Sequence, residues 1–563
     1  MSKTHRESER KFEVDAEFRL PSLTDVRGVA AVGEPETFDL EAVYFDSDDL
    51  RLARRKITLR RRLGGRDEGW HLKLPVAADV RDEIHRPLAA GIERVEGRDE
   101  AAPSTPTPES PSTSESAAGS AGAVPADLLD LVDAYLRGAP VRPVVTLRTR
   151  RTARILLDGS GRRLAEVVDD HVTSIPVDDP DTGSQWREIE VELVKGGRRL
   201  LNAVGDALLL AGAAPASSAS KAARALGPTL ERLRSVSGDG QRTPTAAVPG
   251  PAGGTDPALD GAVLGLASPA IAVVMAYVTK NVEALTAADP RVRLDVPDAV
   301  HKMRVAARRL RSTLRTFEPL FDQDRARTLD NELRDLAAAL SGARDNEVLI
   351  EHFDGAVAAL PPELVVGPVA DRIHEHLTVD GSQARNQVLA TLRDERYRRL
   401  LGELDDLIAH PVSDGPGYDE AGPTLARLVR HADRRLTRKI DRIRAAEPGA
   451  DRDEAFHSAR KQAKRLRYAA EAVTPLWGEP AADFAGLASE VQDVLGTRQD
   501  AAVARELLTR WGIDEQKAGG PSSFTLGLLL GREECRTADA GRDFDALWAK
   551  ASRRRHRRWL RGG

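Results

Sequence analysis

At 563 residues the chain is longer than one ordinary hydrophobic core supports, so two or more domains are expected. Its 83 basic and 88 acidic residues leave a net charge of −5, which excludes any case for a polyanion partner from bulk charge; such a case must rest on where the bases sit. A single cysteine, Cys535, excludes an internal disulfide, and no run approaches the roughly 18 apolar residues of a membrane span. With an N-terminus that is charged at once (MSKTHRESERKFEVD), the expectation is a cytoplasmic protein with no membrane partner.

Up to Gly97, and again from Val141 to Leu193, polar and apolar residues alternate with period two, as in ITLRRRL, WHLKLP, VVTLRTR and REIEVEL. That period predicts strands of an antiparallel β domain. Between them, 97–125 is Pro, Ser, Thr, Gly and Ala with almost no large apolar residue, a composition that cannot offset the entropy of ordering and predicts a disordered insertion. Helices are expected at Ala126–Leu136 and near Arg198–Leu210. A second stretch of similar composition, 233–257, predicts a flexible linker, and from Ala258 nearly everything repeats at helical spacing. The expected fold is multidomain α+β, with a β domain at 1–232 followed by an all-α domain at 258–563.

Glu7, Glu9 and Lys11 are spaced by two and so share one face of the first strand. The same holds for Arg60 and Arg62, His71 and Lys73, Arg148 and Arg150, and Glu188, Glu190 and Glu192. Ile57, Leu59, Trp70, Leu72, Leu74, Ile189, Val191 and Leu193 form an apolar opposite set. Taken strand by strand, a solvated outer face accounts for this, since an antiparallel sheet is often wet on one side. Yet the acids concentrate on the first and last strands and the bases on those between. A sheet closed into a barrel can turn both sets inward. Carboxylates for a hard cation would then face Arg and Lys, a site suited to a metal-bound phosphate chain.

ESERK (Glu7, Glu9, Lys11) is similar to the ExExK signature of the CYTH, or triphosphate tunnel metalloenzyme, superfamily. YFDSDDLRL, ITLRRR, WHLKLP, TLRTRR, EIEVEL and SKAARAL follow in that family's order. The resemblance implies an antiparallel eight-stranded β-barrel tunnel that hydrolyses triphosphate-type substrates with Mg²⁺ or Mn²⁺. Carried over residue by residue, it implies metal ligands at Glu7, Glu9, Glu190 and Glu192. It also implies a phosphate path lined by Lys11, Arg60, Arg62, Lys73, Arg148, Arg150 and Lys221, of which Lys11, Arg60 and Lys73 are expected to act in catalysis. LAEVVDDHV should add one more carboxylate; Glu166, Asp169 and Asp170 compete, and Asp169 is taken as the candidate. In ARRKITLRR, Lys56 stands where relatives often have glycine.

The helical region contains a repeat. HKMRVAARRLRSTLRTF begins at His301 and HSARKQAKRLRYAAEAV at His457, an offset of 156. Each copy is followed by a similar tail, LRDLAAALSGARDNEVL and LASEVQDVLGTRQDAAV. On a helical wheel His301, Arg304, Arg308, Arg311 and Arg315 make one narrow stripe beside an apolar face of Met303, Ala307, Leu310, Leu314 and Phe317. His457, Arg460, Lys464 and Arg467 repeat the stripe beside Ala459, Ala463, Leu466, Ala470 and Val473. Like charges at these spacings repel by roughly 0.2–0.5 kcal/mol per pair, so two such stripes call for an offsetting partner more than for bare solvation. The pattern resembles the CHAD domain, a conserved-histidine α-helical module commonly fused behind a CYTH domain. That resemblance implies two pseudo-symmetric helical bundles whose basic inner surfaces bind inorganic polyphosphate. Nucleic acid fits less well, because the stripes carry almost no interleaved aromatics except Tyr468. The tail RRRHRRWLRGG is a separate basic cluster, suited to extending a polyphosphate track, to nucleic acid, or to nothing beyond a basic helix end.

Two functions compete on the sequence. In the first, a metal-dependent phosphohydrolase acts on tripolyphosphate or a related triphosphate, and the helical domain binds polyphosphate. In the second, both domains bind polyphosphate without turnover. The carboxylates favour the first, since a pure anion binder gains nothing from acids beside its ligand. A class IV adenylate cyclase shares ExExK, but the fused helical domain argues against it.

Overall fold

The computed structural model describes residues 3–77, 80–88, 123–218, 220–237, 264–411, 415–447 and 449–561. The chain divides into two compact units, Met1–Asp239 and Gly240–Gly563. Most of 97–125 and of 233–257 falls outside the described residues, but 233–237, assigned to the linker on composition, continue a helix.

In the first unit the alternating segments form β1 (Lys3–Val14), β2 (Glu36–Asp46), β3 (Thr58–Leu63), β4 (Gly69–Ala77), β5 (Val80–Arg86), β6 (Arg142–Leu157), β7 (Arg163–Pro176) and β8 (Gln185–Leu193). They pair antiparallel in the order β1–β5–β4–β3–β2–β6–β7–β8, and β8 returns to β1. The result is the expected closed eight-stranded barrel. Two-residue strands at Ala31–Val32 and Ala214–Pro215 extend β6 and β1.

The barrel carries its charges inside and much of its apolar surface outside, where helices cover it. Phe12, Ile189 and Val191 point outward and pack on Leu201, Val204 and Leu208 of a helix at Arg198–Leu210. A preceding helix, Ala126–Leu136, buries Leu128, Leu131, Val132 and Leu136. Numbered in chain order these are α1 (Ala126–Leu136) and α2 (Arg198–Leu210), followed by α3 (Lys221–Ala225) and α4 (Gly227–Ser237). Ala222, Ala225 and Leu226 meet the inward-facing Ala42, Tyr44, Val145, Leu147 and Val172, so one end of the lumen is filled with apolar side chains. Lys56 adopts a φ of 60°, the left-handed turn that glycine takes without strain, at a cost of about 1–2 kcal/mol. Gly64 is required at its turn: its φ is +81°, and a Cβ there would sit 2.3 Å from the Asp39 carbonyl oxygen.

The described helices of the second unit are α5 (Ala270–Arg293), α6 (Ala299–Thr316), α7 (Gln323–Ala358), α8 (Val369–Arg393), α9 (Glu395–Ala409), α10 (Ala421–Ala445), α11 (Ala450–Trp477), α12 (Glu479–Lys517) and α13 (Ser523–Ala551). Consecutive helices pack in two runs, α5 to α8 and α10 to α13, and the runs meet where α6 packs on α11. This arrangement agrees with the two helical bundles that the resemblance to the CHAD domain implies. Met303, Ala307, Leu310, Leu314 and Phe317 are all buried, as are their counterparts Ala459, Ala463, Leu466, Ala470 and Val473. The alanines let the helix backbones approach closely, which explains a core so poor in aromatics. One segment departs from the sequence reading: α5 is long and apolar enough to cross a membrane, but 61% of its apolar window is buried within the protein.

Candidate functional site

Every second side chain of a barrel strand enters the lumen, so pairing register decides which charges meet. Glu9 of β1 lies directly opposite Glu192 of β8, and Glu192 lies directly opposite Glu166 of β7. Three carboxylates thus form a row across three adjacent strands, and all three line one cavity of about 330 Å³. Like charges opposite one another destabilise a sheet, so the row calls for a cation. Lining the same cavity are Arg60 and Arg62 of β3, Lys73 of β4, Arg81 of β5 and Arg151 of β6. Of its lining residues nine are Lys or Arg and six are Asp or Glu, so the lumen stays net positive even with every carboxyl ionised.

Glu190 and Glu192 of β8 are shifted in opposite directions. Burial alone would raise the Glu190 carboxyl, but Lys11, Lys221 and Arg151 outweigh it and hold it well below the usual range. Glu192 goes the other way: burial pushes its carboxyl up, Glu9, Glu190 and Glu83 add to the shift, and Lys73 only partly opposes it. Among the described residues no three His, Cys, Asp or Glu side chains stand at metal-binding spacing. Instead Lys11 bridges Glu190 and Glu9, at 3.2 Å from the latter. The donors themselves, all carboxylate oxygens, suit a hard cation. On the opposite wall, burial and the neighbouring Arg60 and Arg151 push the Arg62 guanidinium down from its ordinary value, although it pairs with Asp67.

Lys221 anchors the far side of the acidic wall. Its Nζ lies 2.9 Å from Asp170 and 2.8 Å from both Glu188 and Glu190. Arg151 adds contacts of 2.7 Å to Asp170 and 3.1 Å to Glu190. Replacing Lys221 with Met leaves buried carboxylates short of a partner and should cost the β unit about 3–5 kcal/mol in urea unfolding. A loss under about 1 kcal/mol would show that Arg151 alone balances the cluster.

Of the residues expected on the phosphate path, Lys11, Arg60, Arg62, Lys73 and Lys221 line the cavity, as do Glu9, Glu190 and Glu192. Glu7 pairs through its backbone with Arg81, but its side chain lies outside the described residues. Three assignments are corrected. Arg148 and Arg150 lie on the outer face of β6, paired with Glu41 at 3.2 Å and Asp39 at 3.3 Å. The buried Leu147 and Thr149 set the phase of that strand, so it is Arg151 that enters the lumen. Asp169 also points outward and binds Arg187 at 2.8 Å, whereas its competitors Glu166 and Asp170 point inward. Glu83 and Arg81 escaped the sequence reading although DVRDEIHR alternates like the other strands. Glu83 takes 2.8 Å contact from His71, whose imidazole burial pushes down to about 4, and faces Lys73 at 3.8 Å.

In the helical unit the two basic stripes open on one cleft of about 670 Å³. Arg304, Arg308 and Arg311 of α6 line it with His457, Arg460 and Lys464 of α11. Nine of its fifteen lining residues are Lys or Arg and none is Asp or Glu. Burial, with Arg460, Arg308 and Arg304 adding repulsion, pushes the Lys464 ammonium down to about 7. Part of the cleft's charge is offset, since Asp330 pairs with Arg311 and Arg315 and Asp500 with Arg460. Two expected members are placed elsewhere. Arg467 turns to Glu471 at 2.8 Å, which also receives Arg309 at 3.1 Å and the Tyr277 hydroxyl at 2.9 Å. His301 is half-buried at the head of the α6 stripe and is not among the lining residues, whereas His457 is, with Nδ1 3.2 Å from Gln499 Oε1. Arg334 of α7, absent from both stripes, joins the cleft through tertiary packing alone.

Comparison with known proteins gives both halves a match. The CYTH domain family matches residues 5–226, and the CHAD domain family matches 276–509. Uncharacterized protein Rv2226 of Mycobacterium tuberculosis (strain ATCC 25618 / H37Rv) is 36% identical over 548 residues, 94% of this chain and 93% of its own. Among solved structures, PptA from Streptomyces chartreusis is 21% identical with a TM-score of 0.42, over 50% of this chain and 100% of its own. The CHAD domain from the plant Ricinus communis is 21% identical with a TM-score of 0.40, over 52% and 95%. CYTH domains as a family are metal-dependent, and both families are associated with binding triphosphate or polyphosphate.

Proposed function

Because the chain belongs to the family that joins a CYTH domain to a CHAD domain, we propose that its β tunnel hydrolyses inorganic triphosphate, polyphosphate or a related triphosphate with a divalent metal, while its helical unit binds polyphosphate. The observation that carries this reading is the inward row Glu9–Glu192–Glu166 sharing one cavity with Arg60, Arg62 and Lys73. Mg²⁺ or Mn²⁺ would be held by Glu9, Glu166, Glu190 and Glu192, and would supply charge neutralisation at phosphate oxygens. Arg60 and Arg62 present guanidinium groups to the phosphate chain, while the fork of Arg151 is held by Asp170. Lys11, Arg60 and Lys73 stand where they can neutralise charge that develops on the oxygens of the transferred and leaving groups. The domain limits proposed with this reading are 1–232 and 258–563.

The test is phosphate release from tripolyphosphate, ATP and long-chain polyphosphate. Release should require Mg²⁺ or Mn²⁺, stop with chelator and return when metal is restored. One observation favours a second reading, a non-catalytic binding protein: Lys11 and Lys221 already neutralise Glu190 and, for Lys11, Glu9. Tight polyphosphate binding by a metal-supplied chain that releases no phosphate would establish that second reading.

The cleft makes its own prediction. Lys464 is half-neutral near pH 7 when the cleft is empty, and a bound polyanion favours its charged form. Binding therefore takes up a proton above about pH 7. Polyphosphate affinity should be flat below that pH and fall by up to about tenfold per unit above it. Titrations across pH 6 to 9 check this, with Lys464→Met expected to abolish the slope.

A further inference from the structure

The basic surface of the helical unit does not end at the cleft. On α10 the residues Arg427, His431, Arg434, Arg435, Arg438 and Arg442 fall within about 100° of the helix wheel, and all six are exposed. Among the described residues none of the five arginines forms an ion pair with an acid, although like charges at three- and four-residue spacing destabilise a helix. This stripe is not a copy of the duplicated one. In the first bundle the corresponding first helix, α5, is apolar, with Lys280 its one base before Arg291. Arg435 reaches the cleft electrostatically, since it joins Arg315 in pushing down the Arg465 guanidinium, which burial already lowers.

The C-terminal segment lies against the same helix. Arg557 binds Asp433 of α10 through both carboxylate oxygens, at 2.7 and 2.8 Å, and Arg430 donates to the Leu560 carbonyl. Leu560 is buried, and Trp559 packs between Trp477 and Phe484 at ring distances of 5.2 and 5.8 Å. These contacts fix the segment while leaving Arg553, Arg554, Arg555 and Arg558 exposed. A basic tail that only kept the protein soluble would not need an aromatic clamp and a bidentate ion pair to hold it on one helix.

We propose that the exposed face of α10 and the clamped C-terminal arginines form a second polyanion surface, continuous with the cleft through Arg435 and Arg465, that takes the part of a long polyphosphate chain that leaves the cleft. The inference rests on the polyphosphate-binding reading above and adds selectivity for chain length. An inorganic phosphate chain fits better than nucleic acid, because the stripe carries no Phe, Tyr or Trp and Trp559 is already packed against Trp477 and Phe484.

The experiment uses the full chain with Arg434→Gln/Arg438→Gln and, separately, Arg553→Gln/Arg554→Gln/Arg555→Gln, neither of which touches the cleft or the clamp. Titrations with tripolyphosphate and with long-chain polyphosphate are run at several salt concentrations. Affinity for the long chain should fall by about tenfold in each variant and its dependence on salt should become shallower, while tripolyphosphate affinity should not change. Equal long-chain affinity in variants and parent would overturn the second surface while leaving the cleft reading intact. A parent chain that binds neither polymer would overturn both. Equal losses for both polymers would place these arginines in the cleft's own field and remove the selectivity. A larger loss for a single-stranded oligonucleotide of matched charge than for polyphosphate would reassign the surface to nucleic acid.

Discussion

A chain carrying Glu192→Gln should release phosphate from tripolyphosphate about a hundredfold more slowly, equivalent to about 2.7 kcal/mol of barrier, without losing stability. The two effects have one cause. Glu192 stands between Glu9 and Glu166, opposite a carboxylate on each neighbouring strand. Without a cation that arrangement costs the fold, and the carboxyl is pushed up first by burial and then by the charge of Glu9, Glu190 and Glu83. The sign follows directly: a carboxyl raised in the folded state binds more protons there than in the unfolded chain. Its contribution to stability is therefore greatest at low pH and is lost as pH rises through the raised value. Glutamine removes the repulsion permanently, so urea unfolding at pH 7 should show a gain of about 0.2–1 kcal/mol. It also removes a donor that a hard cation needs. Lost turnover with unchanged or higher stability marks a residue kept for function at the expense of the fold. Lost turnover with a loss of several kcal/mol would instead mean a structural carboxylate, and turnover equal to the parent's would remove Glu192 from the metal site.

The barrel was legible because period-two alternation encodes a strand's two faces directly, and the register of β1 on β8 brought Glu9, Lys11, Glu190 and Glu192 together as the resemblance to the CYTH family implied. Phase errors account for what was missed. In TLRTRR, Arg148 and Arg150 form as good a two-spaced pair as any, and only the burial of Leu147 and Thr149 shows that the inward set is odd-numbered. A readable signal existed: Asp39 and Glu41 alternate in β2 with the opposite charge and meet Arg150 and Arg148 across the outer face. Asp169 failed for the same reason, one residue from the inward Asp170. On the helices, Arg467 was lost to Glu471 four residues on, a pairing that spacing alone announces. Arg334 could not be found that way, because it stands on α7, in the tail that follows the first stripe, and only the packing of α7 brings it to the cleft.

The convergence of two stripes on one cleft, rather than two separate sites, leads to the second large effect. Arg304→Glu with Arg308→Glu alters only α6, and Arg460→Glu with Lys464→Glu alters only α11, yet all four positions line the same cavity. Each double variant replaces two attractive charges by two repulsive ones beside the same phosphate chain. Each should lower polyphosphate affinity by about a hundredfold or more, steeply dependent on salt. Because Met303, Ala307, Leu310, Ala459, Ala463 and Leu466 carry the packing and are untouched, helicity and melting should alter little. Stoichiometry is what separates one site from two. A shared cleft predicts that either variant weakens the whole binding isotherm while the number of chains bound per protein stays the same. Independent stripes predict that each variant loses half the sites and keeps parental affinity at the rest. Preference for polyphosphate over a single-stranded oligonucleotide of matched charge should persist in the parent. Tyr468, the one aromatic in the cleft lining, is buried beneath Arg309 and Arg467 at 5.5 and 5.7 Å and offers no free face for a base. Equal affinity for the two polymers would make the cleft a general polyanion site, recognising charge density without regard to the chemistry that carries it.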